Sequence, residues 1–371
     1  MKFEITGQDG TTAARCGLLS TAHGSVQTPV FMPVGTQGSV KAMDPEILRD
    51  LGCEIILGNT YHLSMRPGVE LIESLGGLHS FVGWTGSILT DSGGFQIYSM
   101  SGRHKVSEEG VGFQSHIDGA KHVISPEDCV RIQQGFGSDI IMVLDHCLPY
   151  PSSLPLTKEA MELTCRWAKR SAEEHRRLGS ELALFAIQQG GFDKDLRRIC
   201  SERLTDIGFD GYAAGGLSVG EPRDLFTQTA SLAVEMLPED KPRYLMGVGP
   251  PEDLLEMIGL GFDMFDCVMP TRSARTGLLF TSRGKLVIKH TRYRDDPRPL
   301  DPDCGCSVCS RFSRAYLRHL FVSGEILSSI LNTHHNLHFF LNLMAGARDA
   351  VRAGEFDSYR KSFLAGYNEG V

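Results

Sequence analysis

The 371-residue chain has no apolar run long enough to span a bilayer, and its first residues, Met1-Lys2-Phe3-Glu4-Ile5-Thr6, lack the apolar core of a signal peptide. On both counts the expected location is the cytoplasm. There is no internal repeat and no low-complexity segment. Ten cysteines are too few for a disulfide scaffold at this length, so they stay available as thiols or metal ligands. Positive charge is also short: 37 Lys and Arg stand against 45 Asp and Glu, a net charge of −8. Taken alone, that deficit argues against a nucleic-acid partner, because phosphate contacts need Lys and Arg. What remains, with 41% hydrophobic and 22% charged residues, is a globular chain large enough for one α/β barrel or two ordinary domains.

Two local features cut against these averages. Between Arg272 and Arg298 stand Arg272, Arg275, Arg283, Lys285, Lys289, Arg292, Arg294 and Arg298 against only Asp295 and Asp296, a basic stretch on an acidic chain. A solvated face is the plain reading of such a run; a phosphate-binding face is the sharper one. The stretch leads into Asp303-Cys304-Gly305-Cys306-Ser307-Val308-Cys309, with His334-His335 downstream. Three soft thiolates and an imidazole are the donor set of a tetrahedral structural zinc site. Of the other cysteines, Cys16, Cys53, Cys129, Cys147, Cys165 and Cys200 read mostly as small buried hydrophobes.

The first 29 residues alternate apolar and polar positions, with turn chemistry at Gly10 and Gly24, and predict antiparallel strands. After Pro29, short apolar runs recur between helical segments: Val30 to Val34, Glu54 to Leu57, Ser87 to Thr90, Asp139 to Leu144, Leu182 to Ile187, Gly211 to Ala214, Arg243 to Met246, and Asp263 to Cys267. Near-continuous apolar strands alternating with helices imply a parallel sheet buried on both faces, and eight such units favour an α/β fold of the (β/α)8 TIM-barrel type. Asp44-Pro45-Glu46 and Ser125-Pro126-Glu127-Asp128 mark helix starts, and Thr157 is expected to cap a long helix ending at Gly179. Asp118-Gly119 predicts a hairpin within an insertion from Val111 to Ile124. Leu337, Phe340, Leu341 and Met344 fall at helical spacing and predict a closing amphipathic helix. The whole chain, 1–371, thus reads as one barrel domain. It includes N-terminal strands over 1–29, a basic and zinc-binding insertion over 271–335, and a helical segment over 336–371.

In such a barrel, chemistry gathers where strands finish. Strand three ends in Asp91-Ser92-Gly93-Gly94-Phe95-Gln96, strand four in Asp145-His146-Cys147, and strand five in Gln188-Gln189-Gly190-Gly191. Strand six ends in Gly215-Gly216-Leu217, strand seven in Gly247-Val248-Gly249, and strand eight carries Asp266. Three carboxylates, an amide and glycine turns suit a flat, hydrogen-bonding ligand. A guanine-like edge gives N–H donors to a carboxylate, while its carbonyl oxygen accepts from Gln189 and a glycine N–H. Glycine lets the backbone approach that closely, and Phe95 offers a stacking face. Glycosyl transfer by double displacement needs a carboxylate nucleophile and a second carboxyl group to move protons. Asp266 and Asp91 are candidates for those roles, with Asp145 left for base recognition, and the sequence does not rank them.

These motifs resemble the bacterial queuine tRNA-ribosyltransferases, or tRNA-guanine transglycosylases, over nearly the whole chain. The resemblance rests on Pro29 to Thr36, Thr90 to Gln96, Ala186 to Gly190, Gly215 to Leu217, Tyr244 to Gly249, Phe265 to Arg272 and the cysteine cluster. It implies a (β/α)8 barrel with one structural Zn2+ per subunit, held by Cys304, Cys306, Cys309 and His335. It further implies that Asp266 attacks the ribose C1′ to give a covalent RNA–enzyme intermediate and that Asp91 is the general acid/base. Asp91, Ser92, Gly93, Gly94, Phe95, Asp145, Gln189, Gly216 and Leu217 would form the base pocket, with Leu217 presenting its backbone carbonyl. Gly247, Val248, Gly249, Pro250, Pro251, Glu252 and Asp253, together with Thr271, Arg272, Ser273, Ala274 and Arg275, would meet RNA. The implied reaction replaces guanine at the wobble position of GUN anticodons, in the tRNAs for Asp, Asn, His and Tyr, with a 7-deazaguanine. The implied assembly is a homodimer.

Some positions depart from that pattern. His146 stands where bacterial members have Glu, Ser218 where they have Ala, Ser273 and Thr276 where they have Asn, and His334 where an apolar residue is usual. The pocket-edge differences leave open whether the incoming base is 7-aminomethyl-7-deazaguanine (preQ1) or queuine. A non-catalytic tRNA-binding partner subunit is the alternative, and it would be marked by loss of the nucleophile or recognition residues, all of which are present. A zinc metallohydrolase on the same barrel would need an open metal position near the barrel mouth, and four protein donors that follow the barrel do not leave one.

Overall fold

The computed structural model describes residues 1–100 and 104–370. Strands β1 (Lys2–Gln8), β2 (Arg15–Thr21) and β3 (Gly24–Thr28) pair antiparallel in chain order, as the alternation predicts. Gly24 closes the β2–β3 turn at φ +127°, a conformation that side chains resist.

The barrel begins with β4 (Val30–Gly35), β5 (Ile55–Gly58) and β6 (Ser87–Thr90). An excursion then forms an antiparallel sheet of β7 (His104–Val106), β8 (Val111–Gln114) and β9 (Lys121–Ile124). The barrel resumes with β10 (Ile140–Met142), β11 (Ala183–Gln188), β12 (Gly211–Ala214), β13 (Arg243–Leu245) and β14 (Met264–Cys267). β14 pairs in parallel with β4, Asp266 opposite Met32, and this closes the eight-stranded ring. Every residue of β4, β5, β6, β11 and β12 is buried, the condition of parallel strands covered on both faces. Beyond the barrel, β15 (Leu278–Thr281) and β16 (Gly284–Val287) form a hairpin.

Helix starts follow the sequence at two of three places. Asp44 accepts from Glu46 N, and Ser125 and Asp128 exchange both bonds of a capping box. Thr157 does not cap its helix. That helix runs Leu154–Arg177 with Ser153 at its N-cap, and Thr157 lies inside the first turn with Oγ1 donating 2.9 Å to the Ser153 carbonyl. Pro155 near the start fixes helical φ three residues earlier than the threonine signal suggested. The hairpin at Asp118-Gly119 also differs from a two-residue turn. Gln114 pairs with Lys121, so a six-residue loop intervenes, closed by Gly119 N donating to Ser115 O and Ala120 N donating to Asp118 Oδ1. The fourth barrel strand, Ile140–Met142, is shorter than Asp139 to Leu144, and the residue just before it, Asp139, uses its carboxylate to tie neighbouring elements together. It accepts from Ile88 N at 2.9 Å and pairs with His23 Nδ1 at 2.8 Å and His79 Nε2 at 3.1 Å. The two imidazoles stack almost parallel, 3.5 Å apart, and brace the N-terminal sheet against the closed end of the barrel.

The helix Ile326–Ala353 buries Leu337, Phe340, Leu341 and Met344, each removing apolar area worth about 1.5–3 kcal/mol from water. Phe340 packs on Phe31 of β4, so the closing helix is seated directly on the barrel wall. Farther toward its start, the same helix supplies His335 to a second, small core of Ala274, Leu279, Leu286, Tyr293, Leu300, Val308 and Leu317 around the cysteines.

Candidate active site

The C-terminal ends of the barrel strands converge on three carboxylates. Asp91 follows β6, and its backbone N still bonds Gly58 O of β5, so the residue is held in line with the sheet. Its carboxylate accepts from Asn59 Nδ2 at 2.6 Å and Thr60 N at 2.9 Å. Asn59 caps the helix Thr60–Met65 with its Oδ1, so one side chain ties a helix start to Asp91. Burial pushes the Asp91 pKa up to about 7, and the nearby Asp266 charge adds to this against the pull of both donors.

Asp145 follows β10 and accepts from Ser92 Oγ at 3.3 Å and Gln189 Nε2 at 2.7 Å. Burial raises its pKa to about 6, with those two donors opposing. Gly93 sits at φ +76°, where a Cβ would lie 2.9 Å from Tyr61 N, and a Cβ on Gly94 would lie 3.1 Å from Asp145 O. Gly216 has φ +65°, and its Cβ would strike Gln189 Oε1 at 2.5 Å, so the loops after β11 and β12 touch only because glycine is there. Leu217 is buried, and the turn beyond it is fixed by Glu221, which accepts from Ser218 N at 2.6 Å and Val219 N at 2.8 Å. Phe95 is 47% exposed beside this pocket, free to offer a ring face.

Asp266 lies half-buried at the end of β14. Tyr244 OH donates to its Oδ1 at 2.6 Å and Gly247 N at 2.9 Å. Burial raises its pKa, and these two donors counter the rise. Among the described residues, none of the three carboxylates forms an ion pair with Lys or Arg. Carboxyl groups left without cations stay available to a reacting carbon or a moving proton, and burial raises two of them, Asp91 and Asp145, to about 7 and about 6. Asn59, Thr60 and Tyr244 were not among the sequence candidates. Asn59 carried the same signal as the others, a polar residue directly past a strand.

The candidate RNA segments flank this mouth. Gly249 is packed on Cys267, Val248 and Pro251 are buried, Glu252 pairs with Lys285, and Asp253 pairs with Arg223. The helix Met269–Arg275 leaves β14 directly, burying Thr271 and Ala274 and exposing Arg272 and Arg275 one turn apart. The Arg275 pKa is lowered, by burial first and then by Arg272, as for two cations held side by side. Farther along, Arg283 and Arg298 are paired with Asp303 and Asp296, while Lys289, Arg292 and Arg294 are exposed. His146 lines a cavity of about 220 Å3 shared with Tyr150, Phe192, Gln189 and Gly216.

The cysteine cluster is assembled away from the mouth. Cys304, Cys306 and Cys309 Sγ lie 3.7, 3.6 and 3.3 Å from His335 Nδ1. Metal bonds of about 2.3 Å to sulfur and 2.0–2.1 Å to nitrogen, at a tetrahedral angle, separate those atoms by about 3.6 Å, so the donor set fits one ion. His335 Nε2 is engaged by Phe280 O at 2.7 Å, which directs Nδ1 to the sulfurs. The His334 ring turns away to Ser307 Oγ.

A closed (β/α)8 barrel with un-neutralised carboxylates at its mouth, next to an arginine-bearing helix and a separate Cys3His cluster, defines a barrel enzyme built for acid/base chemistry on a polar ligand. The family model described as queuine tRNA-ribosyltransferase matches residues 9–369, and the chain belongs to that family. It is 54% identical over 367 residues to the queuine tRNA-ribosyltransferase of Caldanaerobacter subterraneus, covering 99% of this chain and 98% of the relative. Relatives of the same name in Solidesulfovibrio magneticus and Nitratidesulfovibrio vulgaris are each 55% identical, covering 97% and 100% of this chain and 97% and 98% of their own lengths.

Proposed function

We propose that the chain is a tRNA-guanine transglycosylase of queuosine synthesis, exchanging the wobble guanine of GUN-anticodon tRNAs for a 7-deazaguanine. The observation that carries the chemistry is the pair of carboxylates with unlike partners: Asp266 bonded by Tyr244 OH and Gly247 N, and Asp91 poised near pH 7. An Asp266 oxygen attacks C1′ of the wobble ribose, the C1′–N9 bond breaks, and Asp91 gives its proton to the departing guanine. The ribose is then an ester of Asp266. Asp91, now ionised, takes the N9 proton of the incoming base, whose nitrogen attacks C1′ and frees Asp266. Two inversions leave the ribose configuration unchanged. Asp145 binds the N–H edge of the base, Gln189 and Gly216 N–H its carbonyl oxygen, Phe95 its face, and the Leu217 carbonyl its 7-substituent, that of preQ1 or of queuine.

Arg272, Arg275 and the 247–253 segment guide the anticodon loop. The cysteine cluster with His335 holds one zinc ion, which supplies geometry. Asn336 Nδ2 bonds Pro270 O at 3.0 Å from the same helix as His335, so the fixed helix sets the arginine helix beside Asp266. The active form is a homodimer working in the cytoplasm. Asp266→Asn tests the assignment: tRNA incubated with the wild type leaves a covalent adduct on a denaturing gel, and the variant leaves none while still binding tRNA. An adduct that survives in Asp266→Asn identifies another nucleophile and removes the assignment.

A further inference from the structure

Arg197 is completely buried on the helix Lys194–Ile207, directly beneath the loops that carry Gln189 and Gly216. Its Nε donates to Gly191 O at 2.6 Å, Nη1 to Gln188 Oε1 at 3.0 Å, and Nη2 to Gly215 O at 3.0 Å. All three acceptors are neutral. Burial pulls the guanidinium pKa down to about 10, so it is still a cation at neutral pH. Glu221 lies near enough to favour the charge, but no carboxylate bonds it directly; a dry charge without an ion pair is costly to a fold, and a methionine would fill a similar volume without that cost.

The placement shows what the charge does. Gly215 C=O and Gly216 N–H belong to one peptide unit, and in a trans peptide they point in opposite directions. With the carbonyl drawn to Arg197, the Gly216 N–H is turned toward the mouth, where it faces the Cys147 sulfur two residues beyond Asp145. Hydrogen bonds in a chain polarise one another, by roughly 10–30% per bond, so a charged donor on the carbonyl makes the N–H a stronger donor. The same guanidinium pins the preceding loop through Gly191 O and Gln188 Oε1, and the loop lies close on the helix, where a Cβ on Gly190 would come within 2.7 Å of the Arg197 backbone N.

We infer that Arg197 is a positioning residue of the base site, aiming and polarising the Gly216 N–H toward the carbonyl oxygen of the bound base. The effect is greatest as the base departs and negative charge moves onto that oxygen. This inference rests on the base site described under Proposed function.

The test compares guanine with 2-aminopurine, which lacks the 6-oxygen, as competitors of base exchange in wild type, Arg197→Met, Arg197→Lys and Gln189→Ala. Wild type prefers guanine, because a site built to bond an oxygen rejects the analogue lacking it. Arg197→Met is expected to narrow that preference by about tenfold, with KM for tRNA unchanged, and Arg197→Lys to narrow it less, since lysine keeps the charge but not the fork. If both variants weaken guanine and 2-aminopurine equally, Arg197 is only a structural brace and the inference fails while the base site stands. If wild type shows no preference and Gln189→Ala leaves base binding unchanged, the base site itself is wrong and both fall. Should Arg197→Met not fold, the Arg197→Lys ratio decides in the same way.

Discussion

Asp91→Asn isolates the energetic consequence of burying a carboxyl group at the barrel mouth. In the folded protein Asp91 titrates near 7, against an ordinary 3.8. Between those values the folded protein holds a proton that the unfolded chain has lost, so stability falls as pH rises, by up to ~1.4 kcal/mol per unit. Over the full interval the cost of ionised Asp91 approaches about 4 kcal/mol and is complete above pH 7. Asparagine cannot ionise, but its amide meets Asn59 Nδ2, which must turn and give up its helix cap at a cost of about 1 kcal/mol. The variant should therefore be slightly less stable than wild type at pH 4 and more stable by about 2–3 kcal/mol at pH 8. Urea denaturation of both proteins across pH 4–8 measures this, and a stability difference that does not change with pH would refute the buried-proton reasoning. Exchange rate should move the opposite way, falling by about 10²–10⁴ at neutral pH as the general acid is lost. Because the Asp266 charge contributes to the shift, Asp266→Asn should lower the pKa of Asp91.

Two further outcomes are expected. Cys306→Ala should fall well below one equivalent of zinc per chain by elemental analysis and melt at lower temperature, because the second core loses its staple; full metal content in the variant would remove Cys306 from the ligand set. Arg272→Ala with Arg275→Ala should weaken tRNA binding and flatten the slope of log affinity against log salt by about two, and an unchanged slope would place the phosphate contacts elsewhere.

The barrel and its acidic mouth were legible in the chain because their signals are local. Apolar runs of four to six residues punctuated by glycine mark buried strands, and the polar residue after each run marks the mouth, as at Thr90-Asp91 and Leu144-Asp145. Where two local signals compete, the reading slips. Thr157 looks like a cap, but Ser153-Leu154-Pro155 starts the helix earlier, and Asp118-Gly119 looks like a tight turn, but strand pairing ends at Gln114 and Lys121. The basic run was read as one face, yet Arg283, Lys285 and Arg298 are held by carboxylates and Arg272 and Arg275 stand apart beside β14.

By itself the sequence determined the order of strands and helices, the cysteine spacing and the identities of the three aspartates, since periodicity, turn chemistry and ligand spacing act over a few residues. Only the tertiary structure decided what those aspartates can do. Asn59 reaches Asp91 across 32 residues, Tyr244 reaches Asp266 across 22, and Arg197 reaches Gly215 across 18. A proton held near pH 7, a carboxylate bonded by two donors and a polarised N–H arise from burial and from neighbours brought together by closure of the barrel. No short stretch of chain contains them.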